Sequence, residues 1–141
     1  MSGTIRVVVA VVLGLVVGMA VNGGLIMASS HVIAPPAGAD VTTMEGLKAS
    51  LHLFEPRHFL FPFLAHALGT LAGAFTASLI AAPRGKWPAL GVGALFLTAG
   101  IANVVMLPAP MWFNATDLLL AYLPFAWLGH WLAPARAGAA A

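Results

Sequence analysis

The chain has 141 residues, 61% of them hydrophobic and only 7% charged, with a formal net charge of +2 and no cysteine. A mean hydropathy of +0.99 lies far outside the soluble average and makes lipid the expected solvent of an all-α integral membrane protein. The same composition excludes disulfides, thiolate chemistry and Cys-ligated clusters, and a pI of about 9.7 built on a few scattered cations gives no ground for a nucleic-acid partner.

The first long apolar run, about Val7 to Ala28, follows Arg6 as a secretory signal would. It is too long for a signal and stays apolar up to Ser29 and Ser30, so it reads as a retained span. Gly14 and Gly18, four apart and continued by Asn22, make a shallow strip along which a second helix can approach closely. A loop of about residues 30–55 follows. Pro35-Pro36-Ala37-Gly38 stops the helix, and Thr42-Thr43-Met44-Glu45 has the form of a capping box with Thr42 as the cap. The spacing of Met44, Leu47, Leu51 and Phe54, opposite Glu45, Lys48 and His52, predicts an amphipathic helix over about 43–54. Such a helix lies flat on a membrane surface, packs on a bundle end as a connector, or roofs a cavity.

The second run, about His58 to Ala82, places Gly69, Gly73 and Ala77 four apart, a strip matching that of the first span. His66 lies on the same strip, one turn before Thr70 and about 13 Å below the outer end of its span at helical rise. Two readings are open for it: a functional group at membrane depth, or a neutral imidazole tying two helices by a hydrogen bond. Pro83, Arg84, Gly85 and Lys86 form the turn to the third run, about Trp87 to Leu107, whose small residues Gly91, Ala94, Thr98 and Ala102 suggest another strip and which carries Asn103 near its end. After Pro108-Ala109-Pro110 the fourth run covers about Trp112 to Leu132. Its Asn114 and Asp117 fit a helix cap, with proton or cation handling as the other reading of Asp117. Tyr122 follows one to two turns deeper, where Pro124 must disturb the helix.

Together the runs predict one domain, residues 1–141, folded as a four-transmembrane-helix bundle with a short amphipathic helix in the first outer loop. Arg6, Arg84, Lys86 and Arg136 fall on one side, against Lys48 and Arg57 diluted by Asp40, Glu45 and Glu55 on the other, so both termini are expected in the cytoplasm. Phe54, Phe59, Trp112 and Phe113 would mark the outer interface, and Trp87 and Trp131 the inner one. Asn22, His66, Asn103, Asp117 and Tyr122 all fall in the outer half, with Thr70 beside His66, and suggest a polar pocket open to that side. The inner half offers only Thr76, Ser78 and His130 in comparison.

No catalytic constellation, phosphate loop, dinucleotide fingerprint or metal-ligand spacing is present, so no cofactor and no metal are expected and an enzyme is the less favoured reading. The segments Phe59-Leu60-Phe61-Pro62-Phe63-Leu64-Ala65-His66-Ala67-Leu68-Gly69-Thr70 and Trp112-Phe113-Asn114-Ala115-Thr116-Asp117-Leu118 on to Gly129 resemble a group of small four-span bacterial membrane proteins without assigned activity. The resemblance implies a bacterial inner membrane and this topology, and transfers no site residue. The expected function is binding of a small or lipid-like molecule, or of a protein partner, in the outer half. An oligomeric transporter or channel subunit comes second and a membrane enzyme third. Membrane lipids and a second copy of the chain or another membrane protein are the partners expected.

Overall fold

The computed structural model describes residues 2–83 and 85–134. Arg84 and Arg136, two of the cations that set the expected orientation, lie outside them. The described chain is all-helical, without a strand: α1 Gly3–Val32, α2 Met44–Ser50, α3 Leu60–Ala81, α4 Lys86–Met106, α5 Met111–Leu120 and α6 Leu123–Leu132. Three stretches, Gly3–Val32, Pro56–Ala81 and Lys86–Met106, are long and apolar enough to cross a membrane. The fourth apolar run is two helices of 10 residues each. Pro124, at the start of α6, has no N–H to offer the carbonyl one turn earlier and its ring crowds that carbonyl, so the helix stops and restarts at Ala121 and Tyr122.

α1 is the longest helix because nothing interrupts it: Ser2 caps it by accepting from the Ile5 amide, and no proline occurs before Pro35. It buries one stripe only, Ala10, Gly14 and Gly18. That stripe lies on α3, which also touches α4, α5 and α6 and is the central helix of the bundle. Gly14 and Gly73 face each other so closely that a Cβ on Gly14 would lie 2.6 Å from the Gly73 carbonyl oxygen, and one on Gly18 would lie 2.8 Å from that of Gly69. Only glycine permits this backbone-to-backbone approach. The strips of the first two spans thus meet within one chain.

α4 turns a different face inward from the one its small residues suggested. It buries Ala89, Val92, Gly93 and Gly100, while Ala94, Thr98 and Ala102 are exposed. The face is chosen by what it must meet: Gly93 lies against Ala126 of α6, and Gly100 against Tyr122.

The loop after α1 holds itself together by local bonds. The Asp40 amide donates to Ser50 Oγ, and the Asp40 carboxylate accepts from both the hydroxyl (2.6 Å) and the amide (2.9 Å) of Thr42. These bonds, the hydroxyl's first, hold the Asp40 carboxyl below its ordinary 3.8. They also correct the expected capping box. Thr42 is taken by Asp40, so Thr43 caps α2, accepting from the Gly46 amide at 2.9 Å. α2 is also shorter than the expected 43–54, tightening after Ser50 into a 3-10 turn at Leu51–Leu53. Leu51 is buried with Phe59 and Phe113, Leu47 and Phe54 pack on the same cluster, and Met44 stays exposed. α2 and its turn therefore sit on the end of the bundle where α3 and α5 begin and α4 finishes.

Candidate functional site

Three side chains from two helices converge below that end. His66 lies on α3, Asp117 on α5, and Tyr122 at the break between α5 and α6. The capping role expected for Asn114 and Asp117 does not arise, because α5 already begins at Met111. Asn114 instead donates its amide to the Ala109 carbonyl, and Asp117, nearly two turns into the helix, points into the bundle and is 4% exposed. The break caused by Pro124 then turns the Tyr122 ring back under it. Gly100 makes room for that ring, since a Cβ there would run into Tyr122 Cζ at 2.6 Å.

The Asp117 carboxylate accepts from the Tyr122 hydroxyl at 2.9 Å, and His66 Nδ1 lies 2.9 Å from each of its two oxygens. The oxygens of an ionised carboxylate only accept, which assigns a ring proton to Nδ1. The His66 and Tyr122 rings stack at 5.7 Å and 28°, and Thr70 donates its hydroxyl to the His66 carbonyl at 2.7 Å. Burial of Asp117 is tolerated because it has these two donors; the same carboxylate without partners would be strongly unfavourable.

The consequence for His66 lies at its other nitrogen. In the neutral ring with its proton on Nδ1, Nε2 presents a lone pair. Nε2 makes no hydrogen bond to a described residue, and it is not sealed: the buried side-chain nitrogen without a partner among the described residues is His58 Nε2, not this one. His66 lines two adjoining cavities. One, of about 210 Å³, runs between α1, α3 and α4 past Asn22, Thr70, Asn103 and Tyr122. The other, of about 180 Å³, lies beneath α2 among Leu51, Phe54, Phe59 and Phe113, with Asn103, Asn114 and Asp117 at its polar end. His66, Gly100 and Asn103 belong to both walls. The six polar residues singled out in the sequence, His66, Asp117, Tyr122, Thr70, Asn22 and Asn103, are all in this region, three of them joined side chain to side chain and Thr70 bonded to the His66 carbonyl.

Chemically, the site offers a hydrogen-bond or proton acceptor held in orientation by a buried carboxylate, in mostly apolar walls. Among the described residues no activated nucleophile accompanies it, the Thr70 hydroxyl being committed to a backbone carbonyl. The described residues bring no three histidines or acids together as a metal site would require.

Sequence reasoning passed over a second polar contact at the opposite end. Ser78 on α3 lies 2.9 Å from His130 Nδ1 on α6 and donates to the Gly85 carbonyl at 3.1 Å, while Arg6 Nε donates to the Ile80 carbonyl at 2.6 Å. Ser78 and His130 stood out as inner-half polar residues; their pairing depends on the rotation of α6, which no spacing encodes. Gly100 was missed as well, because it belongs to the face of α4 that the small-residue pattern did not select. Comparison with protein-family models, curated proteins and solved structures finds no match to this chain.

Proposed function

We propose that this chain is a multi-pass bacterial inner-membrane protein, crossing four times with both termini cytoplasmic, that binds a small amphiphilic or lipid-like molecule in its outer half. Several features support the membrane reading. The long helices expose apolar side chains on their outer faces, among them Val8, Val12, Val16, Leu95 and Ile101, where lipid would cover them. α5 and α6 together are long enough, about 33 Å at helical rise, to make the fourth crossing with a proline break. That break is tolerated where it is buried in protein, and Ala121 and Tyr122 are both buried. Arg6 and Lys86 lie at the α3–α4 turn end, while Asp40, Glu45 and Glu55 dilute Lys48 and Arg57 at the α2 end, as the positive-inside rule orders a cytoplasmic and an outer side.

The observation that carries the binding reading is the Asp117-held imidazole of His66 on the shared wall of two cavities. A titratable group at membrane depth with an open polar atom is a functional group by default, and convergent polar groups at the end of an apolar cavity describe a ligand site. The second reading, a transporter, draws on a further cavity of about 420 Å³ at the opposite end, lined by Ser78, Gly85 and His130.

The chain contains no cysteine, which makes the test direct. Single cysteines at Asn22→Cys and Asn103→Cys, in vesicles of known orientation, should react with a membrane-impermeant maleimide added outside, and a small amphiphile such as 4-hexylphenol should protect them. Reaction from the cytoplasmic side only, or no protection at any concentration, contradicts the proposal.

A further inference from the structure

The walls of the two cavities narrow the chemistry of what they hold, given the binding reading above. Among the described residues neither is lined by a lysine or an arginine, so a phosphate or carboxylate head would enter beside the Asp117 carboxylate with no cation there to balance it. A cationic head fares no better: the Asp117 oxygens already accept from Tyr122 and His66. What remains unmatched is neutral: His66 Nε2, an acceptor, and the side-chain amides of Asn22 and Asn103, which can donate or accept, beside a slot whose other walls are Leu51, Phe54, Phe59 and Phe113. The group complementary to a lone pair in apolar surroundings is a neutral O–H on an apolar body.

We infer that the ligand is a neutral, hydroxyl-headed amphiphile, with a phenol as the simplest example, that donates its O–H to His66 Nε2 while its apolar body lies beneath α2. Asp117 is then the positioning residue. By holding the proton on Nδ1 it keeps Nε2 an acceptor, and without it the ring is free to carry its proton on Nε2 and turn a donor toward the ligand's hydroxyl. Asn103, on the wall common to both cavities, is placed to accept or donate beside the same head group.

The test compares 4-hexylphenol with 4-hexylanisole, its methyl ether, which has nearly the same shape and no O–H, each at matched concentration in the membrane. Protection of Asn22→Cys from maleimide is expected at about tenfold lower phenol than anisole, the factor given by one hydrogen bond. His66→Asn, which keeps a donor where Nδ1 stood and removes Nε2, should erase that difference. In the Asn22→Cys chain with His66 intact, the ¹⁵N resonance of His66 Nε2 should move with the phenol and stay still with the anisole, a readout independent of whether His66→Asn folds. Equal protection by the two compounds, or a phenol preference that survives His66→Asn, overturns the inference and leaves the pocket standing. If neither compound protects, the pocket reading falls with it.

Discussion

The two ends of α1 meet the rest of the bundle in opposite ways. At Gly14 and Gly18 the helix rests on α3 backbone to backbone, whereas beyond Gly18 none of its residues is buried and Ile26 lines cavities together with Pro62 of α3; on its other faces, a Cβ on Gly23 or Gly24 would meet nothing within 4 Å. Asn22, next on the seam face and still against Gly69, borders the cavity that it lines with His66 and Asn103. The glycine seam sets how closely α1 and α3 approach, and the site lies beside the end of the seam that points toward α2. The polar contacts follow the same division. Ser78 and His130 tie α3 to α6 beside the cavity at the α3–α4 turn, and the His66–Asp117–Tyr122 group ties α3 to α5 beside the cavities at the α2 end.

The largest effect should come from breaking the seam. Gly73→Leu forces a side chain against the Gly14 carbonyl and is expected to destabilise by about 3 kcal/mol or more, whereas Gly24→Ala, in the open region, should be neutral or stabilising by about 0.5–1 kcal/mol. Thermal unfolding in detergent measures both, and similar losses at the two positions would erase the distinction. Tyr122→Phe removes one donor from the Asp117 carboxylate and should destabilise by about 1–2 kcal/mol. Because Asp117 and His66 stay in place, amphiphile protection of a cysteine at Asn22 should weaken only modestly. Ser78→Ala should destabilise by about 0.5–1 kcal/mol and leave that protection untouched, since the tie lies at the other end; a change in protection would mean that the two ends communicate.

The smallest effect concerns the loop that carries α2. Asp40 is held below its ordinary pKa by Thr42, so its contribution to the loop is present above the ordinary aspartate range and is lost as pH falls through its lowered value. Hydrogen exchange at the Thr42 amide, corrected for its intrinsic pH dependence, should show protection fading on acidification, and Asp40→Asn should flatten that response. The seam amides of Gly69 and Gly73 should show no such fading.

Much of this division could be read from the sequence, and the parts that could not have a common cause. Apolar run length located α1, α3 and α4, and the four-residue spacing of glycines located the faces of α1 and α3 that meet, because a strip of missing side chains has one obvious use. Depth along the helices grouped His66, Asp117 and Tyr122. That they join depends on rotation about the helix axes, set by tertiary contacts such as Gly100 against Tyr122. The inward face of α4 was illegible for the same reason: Gly91 and Gly93 are equally small, and only Ala126 decides between them. Pro124 announced a break, but not that α5 would begin at Met111 and leave Asp117 free of any capping role. At α2 two adjacent threonines competed for one cap, and the bond from Thr42 to Asp40 settled it.

The proposed site turns on one atom, His66 Nε2, whose lone pair Asp117 keeps available. ¹⁵N NMR of the ring-labelled protein in nanodiscs at neutral pH reads it directly, with His66→Asn identifying the signals. The prediction is a protonated Nδ1 and an unprotonated Nε2, a pattern that Asp117→Asn weakens. A proton on Nε2 with Nδ1 bare would mean that Asp117 donates to the ring instead, and the acceptor on which the proposed site depends would not exist.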